Sequence, residues 1–420
     1  MNVLILNHYA TDPTSVGGTR HYELATRLRE QGWDVTIVAS SVNHFTGRDR
    51  CSGDETVRIE VMDGVRFVWI RTTTYKGNGV RRVMGMLAYA WRASSQCVLS
   101  QCPTPDVVIG SSVHPLAAVA AERIAHRRRV PFVFEVRDLW PETLIAFGAI
   151  KERSMVASAL RALEAWLYRR SARIIVLLPN AGEYMARYGT DLAKVCWIPN
   201  GVTVPEYEVA HSREPGGFRI HYVGSHGAAN ALECVVDAMA VLRRRGLDGG
   251  VELHLYGGGP SAADLRRRAA EAGLDRVHFH GVIGKRDVPA AMGAADALVL
   301  SVQDLPRLYR FGISMNKLYE YMAAGRPIIA AMSAWNDPVS EAGCGIVVPP
   351  GDSELLANAM VTLAAMTPEA RDRLGHRGSM WVRQHNDFNV LGARLDQLLR
   401  GVVAASGASV AGGSSRRTDS

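Results

Sequence analysis

The segment FGISMNKLYEYMAAGRPII, residues 311–329, gathers the residue types that bind a phosphorylated ligand. Lys317 and the backbone amides of Ser314, Met315, Asn316 and Leu318 fall at a helix start, where the positive dipole end and an ammonium together favour a diphosphate. Glu320, about one turn further on, is within hydrogen-bonding reach of vicinal hydroxyls such as those of a ribose. Gly325 and Pro327 then stop the helix and admit a strand. The plain alternative is an amphipathic helix with Lys317 and Glu320 solvated.

Three glycine turns repeat one design, a strand running into a helix through residues that let backbone amides approach an anion closely. They are Gly17 and Gly18 after the first strand, Gly224, Ser225, His226 and Gly227 in YVGSHG, and the YGGGP turn at 257–260. None has GxGxxG spacing, and each taken alone is ordinary punctuation. Charges also cluster at strand ends. EVRDLWPE packs Glu135, Arg137, Asp138 and Glu142 into eight residues, and SSVHP places His114 after the run VVIG. Such positions are more often functional than mid-strand charges, because parallel sheets open at their carboxyl ends.

The elements that must position these residues alternate short apolar runs with helical stretches, the pattern of parallel strands joined by crossover helices. In the first half, strands are expected at 3–7, 34–39, 66–70, 107–109, 132–135, 174–177 and 195–198, with a helix over 20–31. After the polar stretch VPEYEVAHSREPGG the alternation restarts, with strands at 219–223, 252–256, 278–280, 297–301, 327–330 and 345–348 and helices at 231–245 and 318–324. The expected fold is α/β with two doubly wound Rossmann-like domains. The first spans 1–204 and the second 205–379. A helical segment over 380–402 returns to the first domain, and a small-residue tail over 403–420 lacks the apolar surface to order itself.

The chain has 420 residues, 47% apolar and 21% charged, which excludes a disordered or fibrous protein and exceeds one ordinary core. Its 48 Lys and Arg against 41 Asp and Glu leave +7, an excess that suits polyanionic ligands without demanding nucleic acid. The basic residues are dispersed, so nucleic acid is not an expected partner. Six cysteines without CxxC or metal-ligand spacing read as reduced thiols, with no metal site. No apolar run reaches the ~18 residues of a membrane-spanning helix. The start MNVLILNHYA reads as a buried strand, not a signal peptide. In VRRVMGMLAYAWRA, Arg81, Arg82 and Arg92 flank Met84, Met86, Leu87 and Trp91, so a helix there lies either in an anionic membrane interface or with its apolar side on the core. The expected location is cytoplasmic, with peripheral contact on the inner face of the cell membrane.

Over residues 3–399 the chain resembles the retaining glycosyltransferases of the GT-B fold, family 4. GGTRHYELATRLREQGWDVTIV, FEVRDLWPE, WIPNG and NKLYEYMAAGRPII carry the resemblance, and they most resemble bacterial enzymes that add an amino sugar of the N-acetylfucosamine type in cell-surface polysaccharide assembly. The resemblance implies two domains facing across a cleft and a nucleotide-sugar donor, UDP-linked. It implies a glycan or lipid-linked acceptor. Gly17 and Gly18 would close over the donor, residues 224–227 and 314–317 would hold the diphosphate, Val282 would meet the base through its backbone, and Glu320 would bind ribose. Arg137, Asp138 and His114 would orient donor and acceptor as the catalytic group. Two positions depart from the family pattern. Gly312 stands where the first of two paired glutamates belongs, and residues without positive charge stand around Ser225 and Ala231 where the family has Arg and Lys. Phosphate charge would then rest on Lys317, helped by Arg307 or Arg310.

The implied reaction needs no enzymic nucleophile. The acceptor hydroxyl attacks on the leaving-group face and the departing phosphate oxygen takes its proton, while preorganised amides and cations stabilise the leaving charge without a metal or other cofactor. The sequence has no DxD pair of the kind that holds a divalent cation beside phosphates. A nucleotide-sugar 2-epimerase of the same fold, or a non-catalytic sugar-nucleotide-binding assembly subunit, fits the same motifs.

Overall fold

The computed structural model describes residues 1–15, 17–44, 46–73, 80–204 and 217–414. The chain divides into two compact units, residues 1–199 with 388–420, and residues 200–387.

The first unit is built on an eight-stranded sheet. Its strands are β1 (Asn2–Leu6), β2 (Asp34–Ser40), β3 (Val57–Met62), β4 (Val65–Ile70), β5 (Val107–Ser112), β6 (Phe132–Val136), β7 (Arg173–Val176) and β8 (Val195–Trp197). They lie in the order β3-β4-β2-β1-β5-β6-β7-β8, all parallel except the β3–β4 pair. The interior strands read as unbroken Val/Ile/Leu runs because helices cover both faces of the sheet. The helix α1 (Arg20–Glu30) puts Tyr22, Leu24, Ala25 and Leu28 into the core and ends at Gly32, whose φ of 87° lets its amide reach the Arg29 carbonyl at 2.9 Å. The helix α2 (Val80–Ala93) precedes β5.

In the second unit β9 (Phe218–Val223), β10 (Val251–Tyr256), β11 (Val277–Gly281), β12 (Ala297–Ser301), β13 (Ile328–Ala331) and β14 (Gly345–Val348) form one parallel sheet in the order β11-β10-β9-β12-β13-β14. Both units are therefore Rossmann-like. In each, the chain winds outward from a central strand in one direction and then restarts on its other side, at β1/β5 in the first unit and β9/β12 in the second. Crevices for ligands form outside the carboxyl ends of the strands at such switch points. Residues 7–15, 17–19 and 113–114 occupy that place in the first unit, and residues 224–227 in the second.

Three sequence expectations change. The β3 strand was not among them. It pairs antiparallel with β4 across Asp63 (φ 47°) and Gly64 (φ 75°), the Asp-Gly hairpin signal that the sequence does contain. The return to the first unit starts at Phe388, not at 380, because the helix Pro368–His385 belongs to the second unit. The expected disordered tail from 403 is instead helical as far as Ser414, in the last helix, Phe388–Ser414. That helix puts Leu391, Leu395, Leu399 and Val402 into the first unit's core, and Asp396 accepts a 2.7 Å bond from Trp33 Nε1. Helix propagation beyond an anchored stretch costs little per residue, which overrides the poor composition of the tail. The stretch 205–216, read as an interdomain connection, lies outside the described residues.

Candidate functional site

At the second unit's switch point, the turn after β9 meets the turn after β10 through glycine. A Cβ on Gly257 (φ 132°) would stand 1.8 Å from the Gly224 carbonyl oxygen, and one on Gly259 (φ 151°) 2.6 Å from that of His226. The backbones are locked together, with Gly224 N–H donating to Tyr256 O at 2.9 Å and His226 N–H to Gly258 O at 2.8 Å. Only residues without a side chain permit this approach. Val282, 80% exposed, follows β11, and its Cγ2 would lie 3.0 Å from a Cβ on Gly258.

The helix Asn316–Ala323 brings Lys317 to this turn. A Cβ on Gly224 (φ 157°) would meet Lys317 Cε at 2.5 Å and Nζ at 2.8 Å. The ammonium lies 4.2 Å over the ring of Tyr222, donates to its hydroxyl, and donates to Asn230 Oδ1 at 3.0 Å. Burial pulls its pKa down to about 7, with Glu320 opposing. Glu320 is exposed, and desolvation by its surroundings raises its carboxyl against the pull of Lys285 and Lys317. The helix start has no side-chain cap, so the amides of Asn316 and Lys317 remain open to a ligand, whereas the Leu318 amide, expected to join them, is already taken by the Met315 carbonyl at 3.1 Å.

The loop before this helix is pinned from outside. Asn200 donates through its backbone to Ser314 Oγ at 2.8 Å and through its amide to Ser314 O at 2.6 Å. Asn336 brackets Ile313, accepting from its N–H at 2.7 Å and donating to its carbonyl at 3.1 Å. Tyr321 fastens the helix to β9, its hydroxyl accepting from Val223 N–H at 2.7 Å and donating to Val223 O at 3.0 Å. Gly224, Ser225, His226 and Gly227 therefore share one place with Lys317, and Val282 borders it. His226, 2% exposed, has no hydrogen-bond partner on either ring nitrogen, and burial lowers its pKa, with Lys317 and Arg266 adding to the effect. Arg307 and Arg310 are exposed, but they lie on and at the end of a short helix, Pro306–Tyr309, and not on the loop expected there. Gly312, at the position of the missing glutamate, has φ 109°, which disfavours any side chain there. Sequence reading missed Tyr222, Asn230, Asn200 and Asn336. Two of these, Tyr222 and Asn200, lie in or beside quoted motifs, but only contacts identify them as supports.

In the first unit the charged segment after β6 divides. Glu135 is 2% exposed and accepts from Arg20 Nε at 2.9 Å, His21 Nε2 at 2.7 Å and Ser111 Oγ at 2.6 Å. Asn7 Nδ2 donates to His21 Nδ1 at 2.9 Å, which leaves the proton on Nε2 for Glu135. Arg20 also bonds the carbonyls of Ile198 and Pro199. Burial raises the Glu135 pKa, but His21 and Arg20 outweigh it and hold the carboxyl well below its ordinary value. This carboxylate ties α1, β5, β6 and the end of β8 together.

Arg137 and Asp138 are half-buried beyond β6, and burial raises the Asp138 carboxyl while Arg137 opposes. His114 leaves the adjacent strand end, since β5 and β6 pair Ser112 with Val136. It is 1% exposed, and its Nε2 lies 2.8 Å from His8 Nδ1. Burial, then Arg82, pushes its pKa down to about 3, so the ring is neutral at physiological pH. Among the described residues no hydrogen bond or ion pair joins His114 to Arg137 or Asp138; its neighbours are His8, Tyr9 and Tyr89. His8 and Tyr9 also line a pocket with Asp12, Ser15, His44 and Arg50. Burial raises the Asp12 pKa, but hydrogen bonds from Ser15 and Thr14 with the charge of Arg50 bring it below its ordinary value. Gly17 (φ 135°) and Gly18 close that loop, the Gly18 carbonyl accepting from Thr11 Oγ1 at 3.0 Å.

Comparison with known proteins matches residues 17–201 to the Glycosyl transferase 4-like domain and residues 217–366 to the Glycosyl transferases group 1 domain. Among curated proteins, a probable glycosyltransferase WbjE of Pseudomonas aeruginosa is 22% identical over 264 residues, 60% of this chain and 64% of that protein. The alpha-D-kanosaminyltransferase of Streptomyces kanamyceticus is 30% identical over 160 residues, 38% of this chain and 39% of that one. The chain thus spans less than two thirds of the length of these relatives. Among solved structures, Anabaena Alr3699/HepE in complex with UDP-glucose superposes with a TM-score of 0.65 at 15% identity, covering 96% of this chain and 100% of that one.

Proposed function

We propose, from a chain that belongs to the glycosyltransferases of GT-B fold by the domains filling its two Rossmann-like units, that it moves a sugar from a nucleoside diphosphate to a glycan or lipid-linked acceptor with retention of configuration. The observation that carries this reading is Lys317, whose Nζ is held by Asn230 against the Gly224 turn at an uncapped helix start. A diphosphate is the ligand that such a buried ammonium and open amides fit. Its charge restores the Lys317 proton, and its departure is stabilised by groups already in place, with no metal ion in the scheme. His226 supplies a further ring nitrogen at the same turn. Glu320 is the ribose group, and Val282 stands where a base would lie. The complex of HepE with UDP-glucose supports a uridine donor, and the kanosaminyltransferase supports an amino sugar of hexosamine or deoxyhexosamine type. Residues 137 and 138 orient the reacting groups in this reading. His114, neutral, acts there only as a hydrogen-bonding group.

The helix α2 favours a lipid-linked acceptor. Val83, Met84, Leu87 and Trp91 are 52%, 56%, 54% and 75% exposed, so this apolar side is not spent on the core. Arg82 and Arg92 are spent on the protein itself, Arg82 on the ring and hydroxyl of Tyr9 and Arg92 on the Arg71 carbonyl, so the helix suits a membrane interface by its apolar residues, while among the described residues no helix is long and apolar enough to cross a membrane. The test is a donor panel read by thermal shift, followed by transfer to lipid-linked acceptors. UDP-sugars should stabilise the parent and not Lys317→Ala. Inversion at C2 of UDP-N-acetylglucosamine without acceptor would replace the proposal with an epimerase, and donor binding without turnover on any acceptor would leave an assembly subunit.

A further inference from the structure

The open edge of the second unit's sheet carries histidines that the donor site does not use. The register of the parallel strands sets His254 on β10 beside His221 on β9 and His278 on β11. Glu252 and His280 share their face, because side chains two residues apart on a strand point the same way. No local spacing in the sequence announces this group; three strands assemble it.

We propose that Glu252, His254 and His278 form a binding site for a divalent transition-metal ion of zinc's class. One ligand atom from each lies within 4.8 Å of the others, and all three side chains are half-buried, with access from solvent. Two imidazoles and a carboxylate are the donor set that this class of ion selects, leaving a position for water. The other atom of the central ring is already held. His254 Nδ1 lies 2.9 Å from His280 Nε2, while His254 Nε2 faces Glu252 Oε2 at 3.3 Å. Without a metal the Glu252 contact needs a proton on Nε2. With a metal on Nε2, the proton moves to Nδ1 and donates to His280, the outer partner that a ligating histidine ordinarily has. Proton and metal are thus alternatives at one atom.

A separate observation points the same way. His221 donates from Nδ1 to the Ala291 carbonyl at 2.7 Å, which leaves a lone pair on Nε2. That atom is buried and has no hydrogen-bond partner, and the ring centroid is 4.8 Å from that of His254. Arg276 takes the other oxygen of Glu252, 3.2 Å away, and so leaves Oε2 for the ion while tempering the affinity. The bound ion ties the edge strand β11 to β10, directly before the turn that carries Val282.

The experiment titrates tag-free, EDTA-stripped full-length protein with Zn²⁺ by calorimetry and with Co²⁺ by visible absorption. One ion per chain is expected, with a melting temperature that rises with Zn²⁺ concentration. His254→Gln and His278→Gln should abolish binding, and His280→Gln should weaken it roughly 10- to 100-fold, the usual cost of an outer partner. All three should melt as the parent does in EDTA. If His254→Gln does not fold, His278→Gln and Glu252→Gln on the accessible edge provide the same readout. Failure of the parent to bind Zn²⁺, or unchanged binding in the His278→Gln and Glu252→Gln variants, overturns the proposal.

Discussion

Replacing Lys317 with methionine keeps the length of the side chain and removes the charge that the proposed donor needs. Burial has taken this ammonium from 10.5 to about 7. The free protein at pH 7 is therefore about half protonated there, and a bound diphosphate completes the protonation. A hydrogen bond to a charged group is worth about 1.5–3 kcal/mol. Lys317 already holds one to Asn230 Oδ1 that must be exchanged, which puts the net value toward the lower end, so the variant should lose about 1.5–2 kcal/mol of UDP affinity, roughly 10- to 30-fold. The pH profile carries the sharper signature. Above pH 7 the parent must take up a proton to bind, close to one per UDP at about pH 8, and affinity falls with pH until the bound-state pKa is reached. Calorimetry of UDP binding in buffers of different ionisation heat reads this uptake directly. The stability of the free protein should move the opposite way. The unfolded chain binds more protons between pH 7 and 10.5, so folding is favoured as pH rises through that window. Lys317→Met should lose that dependence and melt no lower than the parent at pH 7. Twofold or smaller loss of UDP affinity, together with unchanged proton uptake, would refute the assignment of Lys317 to the diphosphate.

Glu320→Gln should erase the preference for UDP over its 2′,3′-dideoxy analogue, a difference of about 1.5–3 kcal/mol in the parent, measured by competition; a preserved preference moves the ribose elsewhere. Glu135→Ala should cost about 3–5 kcal/mol in urea unfolding, because it strands Arg20 in the interior. Its carboxyl is held below the usual range, so this stabilisation is complete above about pH 5 and is lost on acidification; an acid transition unmoved in the variant contradicts the network. Trp91→Glu should abolish sedimentation with anionic vesicles and leave the melting temperature and UDP binding unchanged, since the indole is 75% exposed; sedimentation equal to the parent's removes the membrane role of α2.

Local patterns carried much of the architecture. Apolar runs of 4–7 residues between helical stretches placed most of the strands, because a strand buried on both faces must be apolar throughout. The glycines at 224 and 257 and Lys317 at a helix start were also legible, since left-handed turns and helix ends are read from a few adjacent residues. What escaped depends on residues remote in sequence. Glu135 looked like part of a reactive segment until Arg20 and His21, over 110 positions earlier, were seen to saturate it. The chain returned to the first unit only at Phe388, because the helix Pro368–His385 packs with the second unit, and its last helix stayed ordered further than composition indicated because its apolar side is anchored in the first unit's core beside Trp33.

By itself the sequence determined the strand-and-helix alternation, the restart that makes two units, and the chemical types at the donor turn. Tertiary structure alone decided that Lys317 is desolvated beneath Tyr222 and Asn230, that His114 is neutral against His8, and that Glu252, His254 and His278 meet across strands. Periodicity and turn chemistry are properties of neighbours along the chain. Charge state and coordination depend on burial and strand register, which arise only when distant segments pack.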